Sequence, residues 1–252
     1  MTDWLEPDMT HSNSTRTIVV TGAAGGMGLS TCQTLAAQGD HVVAIDSAES
    51  ALRQLAQDSG LIHPLSIDLR APDLVEQVTG LLTGLPPVAG IVNMAGISSG
   101  NTIEQLNDDA WENSFAVNVT PAMRLIRALA PQLRQRGGGS IVNVGSPVGL
   151  IGARKPSYAA SKGALHGLTM SCARNLGSDG IRVNLLLPGT TITGMTQDWN
   201  ETRRAEVAQG NFLKRLCTPQ EIANVVTFLL SDASSYVTGS VVDMTAGGLW
   251  GH

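Results

Sequence analysis

Apolar runs of strand length alternate with helical patterns along almost the whole chain, and that alternation constrains its fold more than any other feature. The strand-like runs lie at residues 17–21, 41–45, 61–67, 90–93, 140–144, 182–187 and 240–242. Most are continuous in Val, Ile and Leu rather than alternating, as expected of strands covered on both faces. Between them, residues 27–38, 48–57, 72–82, 111–136, 158–176 and 220–231 are long enough for crossover helices. Parallel neighbours need such crossovers, so the pattern predicts an α/β chain: a Rossmann-type doubly wound parallel sheet with helices on both faces. Residues 190–216 show only loose periodicity. The expected organisation is a polar lead-in over 1–15 and a single cofactor-binding and catalytic domain over 16–252, with a substrate loop at about 190–216.

Composition narrows the function classes. A hydrophobic share of 42 % supports a large core, and the net charge of -5 comes with no basic run, which argues against a nucleic-acid partner. No apolar stretch approaches the roughly 20 residues needed to span a bilayer. The acidic start (Asp3, Glu6, Asp8) lacks the basic and apolar pattern of a signal peptide. Cys32, Cys172 and Cys217 are unclustered and read as buried, reduced thiols of a cytoplasmic protein. His11, His41, His63 and His252 show no metal-ligand spacing, so no metal is expected.

The first strand runs into Thr21-Gly22-Ala23-Ala24-Gly25-Gly26-Met27-Gly28 and then a helical pattern. Glycines at such a turn let the backbone approach a pyrophosphate, and the helix N-terminus offers free N–H groups to it. A plain tight turn is the alternative for a lone glycine cluster. Asp46 ends the second strand about 20 residues on, where an acid accepts from ribose hydroxyls and repels a 2′-phosphate; a helix-capping role is the competing reading. No Lys or Arg follows Asp46 directly, so NAD is expected over NADP. Farther along, Tyr158 and Lys162 stand four apart on one helix face, and Ser146 sits just past the end of a strand. A nearby ammonium favours a phenolate and brings a tyrosine toward the working range of an acid/base.

With these residues in view, the chain resembles the short-chain dehydrogenase/reductase family over nearly its whole length. Thr21 to Gly28 matches the TGxxxGxG turn, Asn93-Met94-Ala95-Gly96 the NNAG stretch, and Asn118 the helix asparagine. Ser146, Tyr158 and Lys162 complete a tetrad, Leu187-Pro188-Gly189 with Thr193 matches PGxxxT, and Thr238-Gly239 the C-terminal TG. The resemblance implies that Tyr158 is the general acid/base and that Ser146 polarises the substrate oxygen. It implies that Lys162 holds the nicotinamide ribose and lowers the tyrosine pKa, and that Asn118 holds a water in a proton relay. For the cofactor it implies Gly22, Gly26, Met27, Gly28, Asp46, Asp68, Leu69, Asn93, Ala95, Gly96, Pro188, Gly189, Thr191 and Thr193, besides Tyr158 and Lys162. Asp68 would contact adenine, and Thr191 and Thr193 the nicotinamide carboxamide. A homotetramer, with a dimer as alternative, is implied too, the helices near Trp111 and Tyr158 forming one interface.

Three departures stand out. Met94 replaces the second Asn of NNAG. The Ser146–Tyr158 spacing is one residue shorter than the commonest form, leaving an alternative register with Gly145 in the serine position. The usual VDGG reads Thr245-Ala246-Gly247-Gly248 and loses its acid.

Substrate walls are expected from residues 97–100, 147–151 and 190–213, with Ser98, Val148, Met195 and Trp199 as candidate contacts. Met195 and Trp199 suggest an apolar lid for a cyclic or aromatic secondary alcohol or ketone, plain packing being the alternative. Arg154 and Lys155 offer an anion site or a solvated turn, His166 faces an interface or water, and Trp250 can cap a neighbouring subunit. The leading expectation is an NAD-dependent enzyme interconverting a secondary alcohol and a ketone. The alternatives are an NADP-dependent 3-oxoacyl reductase and a non-catalytic nucleotide-binding regulator.

Overall fold

The computed structural model describes residues 15–196 and 198–249. Most of the expected lead-in, Trp250, His252 and the side chain of Met195 lie outside what is described. Seven strands form one sheet in the order β3-β2-β1-β4-β5-β6-β7, and every pairing is parallel. They are β1 (Thr17–Thr21), β2 (His41–Asp46), β3 (Ile62–Ser66), β4 (Val88–Asn93), β5 (Gly139–Val144), β6 (Ile181–Pro188) and β7 (Val241–Met244). The order reverses at β1, so the crevice beyond the carboxyl ends of β1 and β4 is a topological switch point, where open α/β sheets bind ligands.

Helices cover both faces. Ile18 and Val20 of β1 pack into a cluster with Leu35 of α1 (Gly26–Ala37), Leu52 and Leu55 of α2 (Glu49–Gln57), and Val226 and Leu229 further along the chain. Val19, between them in sequence, points to the other face and a second cluster. That cluster takes Val78 of α3 (Leu74–Leu82) and Leu125 and Leu129 further along the chain. The period-2 alternation of a strand thus feeds two cores from one continuous apolar run.

The expected helix at 111–136 is two helices, α4 (Asp108–Asn118) and α5 (Thr120–Arg136). Val119 leaves helical geometry (φ -124°, ψ -53°), and Pro121 follows in the first turn of α5, where a missing N–H costs least. A four-residue helix, α6 (Val148–Ile151), precedes α7 (Pro156–Leu176), so the shortened segment is the connection between them. Within 190–216 lies α8 (Glu201–Gly210), capped by Asn200. α9 (Pro219–Leu230) opens with a capping box between Thr218 and Glu221. Among the described residues no helix is long and apolar enough to cross a membrane.

One expectation about the cysteines needs correcting: Cys32 is fully buried, whereas Cys172 and Cys217 are only half-buried. Cys32 lies on the inner face of α1, and its burial pushes the thiol up to about 12. Cys217 sits instead on a surface segment paired with Thr191.

Candidate active site

The turn after β1 can be built only with glycine at two points. Gly22 has φ +72°, and a Cβ there would stand 2.8 Å from Ala95 Cα and N. A Cβ on Gly28 would overlap the Gly22 carbonyl oxygen. The turn and the start of α1 form one wall of a cleft of about 720 Å³. Gly22, Gly26, Met27, Gly28, Asp46, Asp68, Leu69, Ala95, Gly96 and Thr193 all line it. That volume lies within the range of ligand sites, and the N-terminus of α1 offers it backbone N–H groups.

Asp46 is one of the cleft's acidic lining residues. Its carboxylate accepts from Ala24 N and Ala48 N, both at 3.1 Å, and so ties the end of β2 to the glycine turn. Asp68 is gripped by Arg70, whose Nη2 lies 2.5 Å from Asp68 Oδ2. Those hydrogen bonds hold the Asp68 carboxyl below its ordinary range. Arg70 also donates to Asn113 on α4 (3.1 Å), bridging two walls of the cleft. Sequence reasoning missed both Arg70 and Asn113. Only the position of Arg70, two residues after Asp68, could have pointed to it.

Asn93 lies beneath rather than in the cleft. It donates to Asn143 (2.8 Å), which donates to Thr169 (2.9 Å), a buried ladder joining β4, β5 and α7. Pro188 ends β6, and Gly189 packs so closely that a Cβ would stand 3.0 Å from Met244 O and Thr245 Cα. Thr191 is buried and donates to Gly189 O (2.9 Å). Thr193 reaches across to the glycine turn, its Cγ2 lying 3.1 Å from where a Cβ on Gly26 would be.

The four expected catalytic residues stand beside the cleft, next to its lining residues Gly96 and Ile97. Asn118, the last residue of α4, accepts from Ile97 N (2.8 Å) and donates to Ile97 O (3.0 Å) and Ser161 Oγ (2.9 Å). Its amide therefore clamps the segment after Gly96 onto α7. A Cβ on Gly96 would sit 3.1 Å from Lys162 Nζ and 3.4 Å from Asn118 Oδ1. The Lys162 ammonium is buried and donates to Val144 O (2.8 Å). Desolvation lowers its pKa to about 8. Burial raises the Tyr158 phenol above its ordinary value, and a hydrogen bond from the Ser146 hydroxyl pulls it partly back. Gly145 faces away from the phenol: a Cβ there would stand 2.9 Å from Leu187 Cδ2 and 3.0 Å from Leu185 Cδ1. That packing leaves Ser146 as the residue whose hydroxyl bears on Tyr158.

Of the residues expected to contact substrate, Ser98 accepts from Lys155 Nζ at its carbonyl oxygen (2.9 Å), and Val148 opens α6 half-buried. Trp199 lies under the Arg203 guanidinium, 4.3 Å from ring centroid to Cζ, so its ring is engaged by its own helix start. The segment carrying it is tied down at its base: Ile192 N donates to Cys217 O (2.9 Å) and Cys217 N to Thr190 O (3.0 Å). Phe212 N donates to Ala246 O (2.8 Å). Among the described residues no cluster of three or more His, Cys, Asp or Glu could hold a metal ion.

A family model described as short chain dehydrogenase matches residues 16–204. The chain belongs to the short chain dehydrogenase family. This family member is therefore an oxidoreductase acting on CH–OH or C=O groups. It is 36 % identical over 237 residues to a galactitol 2-dehydrogenase (L-tagatose-forming) of Cereibacter sphaeroides, covering 90 % of this chain and 92 % of that one. It is 33 % identical over 232 residues to a 3-oxoacyl-(acyl-carrier-protein) reductase of Salmonella typhimurium, covering 91 % and 95 %. An uncharacterized oxidoreductase of Schizosaccharomyces pombe is 32 % identical over 245 residues, covering 94 % and 92 %.

Proposed function

We propose that this short chain dehydrogenase interconverts a secondary alcohol and a ketone on a cyclic or aromatic small molecule, with NAD(H) as its cofactor. One observation carries the reading. A glycine-walled cleft holds Asp46 and, at Gly96 and Ile97, abuts Lys162 and Asn118, while the Ser146 hydroxyl bears on the Tyr158 phenol. The cleft fits a dinucleotide, because Gly22 and Gly28 leave no room for side chains where a pyrophosphate would lie against the N-terminus of α1. Bound there, the nicotinamide supplies hydride transfer to or from the substrate carbon.

The chain's own residues handle the proton. Ser146 binds the substrate oxygen, and Tyr158 gives a proton to it, or takes one from it, at the phenolic oxygen. Lys162, four residues on from Tyr158 in the same helix, would hold the nicotinamide ribose with its ammonium. Asn118 keeps Ile97 and α7 in register and serves the proton relay. Asp46 favours NAD because its charge opposes a 2′-phosphate. Pro188, Gly189, Thr191 and Thr193 would hold the carboxamide of the nicotinamide. We assign these roles within one domain, residues 16–252, that assembles as a homotetramer through α4 and α7, where Trp111 is exposed.

The test is reduction of NAD and of NADP over a panel of cyclic, aromatic, polyol and hydroxyacyl secondary alcohols. Tyr158→Phe should lower turnover by about 10²–10⁴-fold. Unchanged turnover in that variant across the panel would sink the mechanism. A second reading, an NADP-dependent 3-oxoacyl reductase, is favoured by the 33 % identity to an enzyme of that name. It predicts faster turnover with NADP than NAD on a 3-oxoacyl thioester.

A further inference from the structure

Ser146 belongs to no regular element. It lies between the end of β5 and the single turn of α6, so its distance from Tyr158 is set by whatever fixes that turn. On one side the turn is pinned to the sheet by Gly145 N donating to Leu186 O (2.8 Å). Internally it is rigid: Gly149 N donates to Ser146 O (3.0 Å) and Leu150 N to Pro147 O (2.9 Å). On its other side the turn rests on α7 through two glycines. A Cβ on Gly149 would stand 2.7 Å from Gly163 N and 2.7 Å from Lys162 C, both main-chain atoms of a helix. A Cβ on Gly163 would stand 3.0 Å from Gly149 O. Two backbones therefore meet with nothing between them, next to Lys162 and on the helix that bears Tyr158.

We propose that Gly149 and Gly163 are positioning residues: their backbone contact sets how closely the Ser146 hydroxyl approaches the Tyr158 phenol. A side chain at Gly149 needs about 1 Å more room than the contact allows, and neither helical main chain can yield it locally. The turn would have to lift, and Ser146 is bonded to it at Gly149. A displacement of that size breaks a hydrogen bond between hydroxyls and can cost catalysis heavily. The Ser146 hydroxyl opposes the effect of burial on the phenol, so lifting the turn leaves that effect unopposed. The proposal rests on Tyr158 carrying the proton.

A readout independent of substrate is at hand. The chain has two tyrosines, and Tyr236 is fully exposed. In a Tyr236→Phe background, the ultraviolet phenolate signal titrates Tyr158 alone. Ser146→Ala should move its midpoint up by about one pH unit, the worth of one hydrogen bond to a charged group. Gly149→Ala should move it up likewise, and Gly149→Ala with Ser146→Ala no further than Ser146→Ala alone. Gly163→Ala, with its milder clash, should give a smaller shift in the same direction and keeps the test open if Gly149→Ala does not fold. Circular dichroism at each pH confines the comparison to folded protein. The proposal falls if neither glycine variant moves the midpoint, if Ser146→Ala does not, or if the shifts of the double variant add. Failure of the proton-transfer reading looks different: Tyr158→Phe would keep its turnover whatever the titration gave.

Discussion

Gly25 and Gly28 stand three residues apart in the same turn and meet very different surroundings. A Cβ on Gly28 overlaps the Gly22 carbonyl, whereas one on Gly25 lies 3.4 Å from that oxygen, an ordinary contact. Gly28→Ala should therefore abolish cofactor binding or folding, and Gly25→Ala should leave both nearly unchanged, as followed by cofactor fluorescence titration and thermal melting. Lys162 carries a pH signature of its own. Its folded pKa of about 8 lies below the ordinary 10.5, so between those values the unfolded chain holds more protons and stability rises with pH. The penalty is fully present below about pH 8. Lys162→Met should thus gain on the native protein by roughly 1–3 kcal/mol at pH 7, after the loss of the bond to Val144 O. The difference should shrink as pH rises from 8 toward 10.5, where urea denaturation at a series of pH values would detect it. The glycine turn was legible in the sequence, and the residues proposed as a tetrad could be picked out there, because each depends on residue types at fixed local spacing. Arg70 and Asn113 were not: they lie 43 positions apart, and only the fold brings them together.

Among the elements, all seven strands were legible to within a few residues at each end, because continuous apolar runs mark buried parallel strands. β3 is the informative exception in composition, since it contains Pro64. It lies at the sheet edge, and Ile67 N donates to Asp46 O, which puts the N–H groups of odd-numbered residues toward β2 and the missing one of Pro64 toward solvent. The division of α4 from α5 was masked by helical pattern on both sides, although Pro121 was in view as a start signal. Helix α8 escaped for the opposite reason: none of its residues is buried, so it has no apolar stripe to read. Just past the end of β7, Ala246 adopts φ +53°, a left-handed backbone that glycine takes without strain. Ala246→Gly should relieve about 1 kcal/mol of backbone strain and raise the melting temperature by about 2 °C, as calorimetry would show.

At the scale of the whole molecule, the segment over 190–217 leaves the sheet and returns to it at nearly the same place. Its feet are held by the reciprocal bonds between Thr190, Ile192 and Cys217, and Phe212 is fastened to the chain's last strand region through Ala246 O. Between those fastenings lies α8, with no buried residue and with Arg203 exposed. A tryptic cut after Arg203 severs the covalent chain but none of the fastenings. The nicked protein should therefore separate into two fragments under denaturing electrophoresis yet elute from a sizing column as the intact one does. It should still bind dinucleotide, because the glycine turn and Asp46 lie on one fragment and are framed by strands the cut does not touch. Loss of dinucleotide binding on nicking would mean that α8 itself holds the cleft together. Covalent continuity and structural continuity part company in this loop, and an excursion fastened in this way can be exchanged or broken open without disturbing the sheet that launches it.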